Sequence, residues 1–132
     1  MKELSYLSEE DIITLNSLAI LKFDVKKADE HKVLNQSSLT EALDKCRNKE
    51  GDIYDKATIL LISLIRAHAF TSGNRRTALI ATLDFLARNN TKSKIGDDPE
   101  NNKIFIGIRE GSYSKEEIKD WIKNGKIKKF ER

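Results

Sequence analysis

The chain has 132 residues, 39% of them hydrophobic and 34% charged, with a formal net charge of +3. That balance suits one soluble domain spanning residues 1–132 with a single core, and excludes a disordered chain. Twenty-four basic residues are nearly offset by 21 acidic ones, so no direct nucleic-acid binding is expected, and no apolar run is long enough for a membrane span.

In chain order, Ser8-Glu9-Glu10-Asp11 reads as an N-cap followed by an acidic first turn. Ile12, Leu15, Ala19 and Phe23 recur at helical spacing and predict a helix over about residues 9–22. Asn16 falls inside it, where a surface or back-bonding role is expected. Residues 24–37 are polar apart from His31, Val33 and Leu34, and His31 is expected to be solvated. Ser38-x-x-Glu41 is a capping-box pattern, opening a short helix through about Arg47 with Leu39, Ala42, Leu43 and Cys46 inward. Cys46, on the inward face of that helix, reads as a small core residue rather than a nucleophile. It is the chain's only cysteine, so no intrachain disulfide forms. With no signal-peptide pattern at the N-terminus, that points to the reducing cytoplasm.

After a turn at Gly51, Asp52 or Asp55 starts a helix that ends at His68. From Ala57 to Ala67 it is apolar around nearly its whole circumference, the mark of a buried helix. Ala78 to Ala87 repeats the pattern with Leu79, Ile80, Leu83, Phe85 and Leu86. Residues 89–98 form a polar loop, and Asp98-Pro99-Glu100 is a helix start with Pro at the first helical position. Ile104, Phe105 and Ile108 follow at helical spacing, although Ile104, Ile106 and Ile108 also alternate as in a strand. The cap favours helix, ended by Gly111. Ser114-x-x-Glu117 introduces a last helix with Ile118, Trp121 and Ile122 on one face and Gly125 beyond its end. The basic tail from Lys126 reads as a solvated end.

Between the two apolar helices lies His68-Ala69-Phe70-Thr71-Ser72-Gly73-Asn74-Arg75-Arg76-Thr77-Ala78-Leu79. A helix beginning near Arg75 would aim unpartnered N–H groups and its positive dipole end at this loop. Gly73 allows close approach of a phosphate, and Asn74 tolerates the left-handed conformation that a nest of N–H groups needs. Arg75 and Arg76 add guanidiniums, which grip phosphate bidentately. His68 is the loop's only group that exchanges a proton near neutral pH. The same residues also suit a capped helix start with two surface arginines and a core histidine, and residue types alone leave both readings open.

The stretch resembles the Fic/Doc signature, His-x-Phe-x-(Asp/Glu)-(Gly/Ala)-Asn-(Gly/Lys)-Arg-x-x-(Arg/Leu), and within it the Doc (death-on-curing) branch, which typically ends Asn-Lys-Arg-Thr-Ala-Leu. His68, Phe70, Gly73, Asn74, Arg76, Thr77, Ala78 and Leu79 match. The likeness continues through Phe85-Leu86-Ala87-Arg88-Asn89-Asn90, back through Leu39 to Leu43 and to Ile12 to Asn16, and on to the Trp-containing last helix.

The resemblance implies one all-α Fic/Doc-like domain of about six or seven helices, with at most a small flap hairpin. It implies a toxin component that transfers a phosphate-containing group from ATP or another nucleotide to a Ser or Thr hydroxyl of a target protein. The known target class is elongation factor Tu. In that scheme His68 is the general base, Arg76 neutralises developing phosphate charge, and Ser72, Gly73, Asn74 and Arg75 complete the nucleotide site. Phe70 anchors the loop. Bulky Arg75 and apolar Leu79 favour phosphoryl over adenylyl transfer. Lys32, Val33, Leu34 and Asn35 fall where the family carries a flap that adds a strand to the target peptide. Ser72 stands where the family has the acid that binds magnesium, and a hydroxyl is a poor ligand for a hard cation. The alternative is therefore a catalytically impaired Fic-fold protein that binds nucleotide, phosphate or a protein partner. The family's inhibitory Ser/Thr-x-x-x-Glu-Gly/Asn segment has no match, which implies a separate antitoxin chain.

Overall fold

The computed structural model describes residues 3–22, 33–96 and 98–129. Among them are six α-helices: α1 (Glu9–Lys22), α2 (Gln36–Asn48), α3 (Ile53–Ala67), α4 (Asn74–Arg88), α5 (Asn101–Glu110) and α6 (Lys115–Asn124). The described residues contain no strand, only an isolated antiparallel bridge between Val33 and Phe70. The domain is all-α, as expected. A flap hairpin within residues 24–37 would draw largely on residues 24–32, which lie outside the described residues, as do Phe23 and His31.

Helix α3 is the axis of the fold and packs against α2, α4, α5 and α6. Its buried residues include Leu60, Leu61, Leu64 and Ile65, each worth roughly 1.5–3 kcal/mol of burial. One apolar cluster draws on all six helices, with Ile12, Leu39, Phe85, Ile108 and Ile122 among its members. The reciprocal caps follow the sequence pattern. Ser8 and Asp11 exchange backbone and side-chain bonds ahead of α1, Asp52 and Asp55 do so at α3, and Ser114 and Glu117 at α6. Gly125 closes α6 at φ 78, and a Cβ there would sit 2.8 Å from the Lys94 carbonyl oxygen.

Two helix starts differ from the sequence expectation. Asn35, not Ser38, caps α2: its side chain accepts from the Ser38 amide at 3.2 Å. The Leu34 and Asn35 amides both donate to the Ala69 carbonyl, at 2.7 and 3.2 Å. This tertiary tie holds Asn35 extended and lets the helix begin at once. At α5, Pro99 is not the first helical residue. The Asp98 side chain accepts from the Glu100 amide and its carbonyl from the Asn101 amide, so Pro99 belongs to a turn and the helix starts at Asn101. The run from Ile104 to Ile108 is helical.

Candidate active site

The loop joining α3 to α4 is held at several points. His68 ends α3 in the left-handed region, at φ 49 and ψ 47, and its side chain is exposed. For a residue other than glycine this costs roughly 1–2 kcal/mol, so neighbouring contacts must fix it. Ala69 and Phe70 are buried, Ala69 accepts the two amides from Leu34 and Asn35, and Phe70 bridges Val33. The Asn74 carboxamide then clamps Phe70 from both sides. Its Oδ1 accepts from the Phe70 amide at 3.0 Å, and its Nδ2 donates to the Phe70 carbonyl at 2.8 Å. Phe70 is thereby anchored and His68 is turned outward.

The left-handed turn that opens α4 belongs to Gly73, at φ 76, rather than to Asn74, which is the first helical residue. A Cβ on Gly73 would lie 3.2 Å from Asn16 Nδ2 and 3.3 Å from an Ile20 side-chain carbon. No side chain caps α4, which leaves the positive end of its dipole to a ligand. Asn16 takes neither the surface position nor the back-bonding role expected for it. It is 1% exposed, and its Nδ2 donates to the Ser72 carbonyl at 2.9 Å and to Thr77 Oγ1 at 3.0 Å.

A cavity of about 680 Å³ opens on this loop, within the size range of small-molecule sites. His68, Ser72, Gly73, Asn74, Arg75 and Arg76 all line it. Sequence reasoning did not find the facing wall, where Asp98, Asn101, Phe105 and Arg109 come from the turn before α5 and from α5 itself. Among the described residues three guanidiniums face one carboxylate, so this part of the lining favours an anion. Val33, Leu34 and Asn35 pair with the loop itself through their backbone. Strand addition there would have to use the opposite edge, while Lys32 lies outside the described residues.

The Ser72 Oγ is buried without a hydrogen-bond partner among the described residues. Nor does any trio of His, Cys, Asp or Glu among them come together as a metal site.

The family model for the Fic/DOC family matches residues 6–86, which run from just before α1 through most of α4 and contain the whole loop. The chain belongs to this family. It is also similar to the protein kinase doc of Escherichia phage P1, with 31% identity over 72 residues. That match covers 54% of this chain and 56% of the phage protein, about half of each.

Within this Fic/DOC chain, the magnesium that the resemblance implies does not fit the loop. The position for its acid carries the Ser72 hydroxyl, and magnesium is held by carboxylates and phosphate oxygens. Asp98 is the one acidic residue among the described residues that line the cavity, and it comes from the far wall.

No helix among the described residues is long and apolar enough to cross a membrane.

Proposed function

We propose that this Fic/DOC chain is a Doc-like toxin component that transfers a phosphoryl group from a nucleotide such as ATP to a Ser or Thr hydroxyl of a target protein. The observation that carries this reading is the cavity, which gathers an exposed imidazole, an uncapped helix start and three guanidiniums around one ligand-sized space. His68 takes the proton of the target hydroxyl. The freed oxygen bonds to the γ-phosphorus while the bond to the bridging oxygen breaks, and the nucleoside diphosphate leaves. Arg75, Arg76 and the first amides of α4 meet the phosphate charge, a type of stabilisation worth roughly 3–4 kcal/mol for a single well-placed donor. The kinase name of the phage relative supports phosphoryl rather than adenylyl transfer, as does the pairing of Arg75 with apolar Leu79. Elongation factor Tu is the proposed target class, and an antitoxin chain the proposed regulator.

A second reading is favoured by the unpartnered Ser72 Oγ: a Fic-fold protein that holds nucleotide or phosphate and does not transfer it. One experiment separates the two. Elongation factor Tu is incubated with γ-labelled ATP, with and without magnesium, and with wild type, Ser72→Asp or His68→Ala. Label transferred by wild type and lost in His68→Ala supports the kinase reading. ATP binding without transfer, with transfer gained in Ser72→Asp, supports the second. Full transfer by His68→Ala refutes the role given to the imidazole.

A further inference from the structure

A second groove, of about 630 Å³, lies between α2 and α3 and shares no lining residue with the first cavity. Its floor is mainly aliphatic, with Ala42, Ile59, Ile62 and Ala67 beside the polar Ser63. Its rim carries four cations, Lys45, Lys49, Arg66 and Lys115, against one carboxylate, Glu41. Among the described residues the groove therefore carries an excess of three positive charges.

Helix dipoles explain part of this pattern. Lys45 and Arg66 sit in the last turns of α2 and α3, where a cation is favoured. Lys115 has no such reason. It is the first residue of α6, the end at which a cation is disfavoured. Among the described residues none of the four cations forms an ion pair with a carboxylate, and Glu41 pairs with none of them. Lys119, one turn further along α6, is by contrast engaged by Asp52 and Asp55. Arg66 spends one N–H on the Ile108 carbonyl at 3.2 Å, which steadies its head group at the rim.

We infer that this groove is a docking site for an acidic peptide segment of a partner protein, one carrying aliphatic side chains between its carboxylates. The aliphatic floor takes the apolar side chains and the rim takes the charge. A nucleic acid fits less well, because among the described residues no aromatic side chain lines the groove to stack a base. The inference does not depend on the activity proposed for the first cavity.

The test uses a fluorescein-labelled peptide, Glu-Leu-Glu-Glu-Ile-Glu, followed by anisotropy at low salt. Wild type should bind it saturably, with affinity falling as salt rises. The double variant Lys45→Glu, Lys49→Glu should weaken binding by about tenfold or more. A charge-matched control on exposed lysines outside the groove, Lys92→Glu with Lys126→Glu, should change it far less. Two altered peptides probe the same point without touching the protein: replacing either the Glu residues by Gln or the Leu and Ile by Ser should abolish binding. The inference is overturned by no saturable binding up to about 1 mM, by equal losses in both double variants, or by an unaltered response to the Ser peptide. Competition by oligothymidylate of equal charge that exceeds competition by unlabelled peptide would assign the groove to nucleic acid and overturn it too.

Discussion

Asn16→Ala tests the support of the motif loop. The substitution removes the bonds to the Ser72 carbonyl and to Thr77 Oγ1. Each is worth about 1 kcal/mol net, and a buried partner left unpaired costs about 1–3 kcal/mol. Thr77 is buried and keeps its hydroxyl unpaired, whereas Ser72 is only half-buried and water can reach part of its loss. The sum is roughly 2–3 kcal/mol. At about 2.1 cal/mol/K per residue, a 132-residue chain changes by roughly 0.28 kcal/mol per degree near its midpoint. The expected drop in Tm is therefore roughly 7–11 °C. Urea unfolding should show the same loss with an unchanged slope. Asn16→Asp should be no better, because it keeps the shape but sets a carboxylate against a carbonyl oxygen. A loss below about 0.5 kcal/mol for Asn16→Ala, or wild-type stability for Asn16→Asp, would refute the assigned role.

Three other outcomes are expected. His68→Gly should raise stability by about 0.5–1 kcal/mol in urea unfolding, since glycine relieves the left-handed backbone at some entropic cost, while removing the proposed base. The Lys119 ammonium, and then the Asp52 amide, hold Asp55 below its ordinary value of 3.8. Its stabilisation is complete above that pH and is lost as pH falls through the folded value. Asp55→Asn should therefore lower Tm at pH 7, and the deficit should shrink in melts below about pH 4. Burial pushes the Cys46 thiol up to about 11, so iodoacetamide at pH 8 should label it only after the protein is unfolded.

Much of this architecture is legible in the residues because each helix end carries its own chemistry. Asp52 with Asp55, Ser114 with Glu117, and the glycines at 111 and 125 mark ends that the structure keeps. The cap of α2 is not legible locally because Asn35 and Ser38 are caps of similar strength, and the choice is made by Ala69, more than thirty residues downstream. The motif residues of the first cavity are contiguous and could be read together. The wall formed by Asp98, Asn101, Phe105 and Arg109 could not, since packing alone brings it opposite the loop. Asn16 does carry a signal in the sequence. It lies four residues after Ile12 on the apolar stripe of α1, and a polar residue there must find a buried partner.

The α2–α3 corner carries a consequence for the order in which the molecule opens. Lys56, in the first turns of α3, reaches back to the end of α2. Its Nζ donates to the carbonyls of Lys49 at 2.8 Å, Arg47 at 2.9 Å and Cys46 at 3.4 Å. The same ammonium lies 5.5 Å from the Tyr6 ring centroid, and Tyr6 stacks on Phe85 of α4. A helix C-terminus ordinarily frays on its own, but this one cannot open without releasing a charge anchored in the next helix. The last turn of α2 and the first turn of α3 should therefore exchange their amide hydrogens as one cooperative unit in native-state hydrogen exchange. Because that unit closes within about ten residues of chain, it is also among the cheapest contacts to form early in folding.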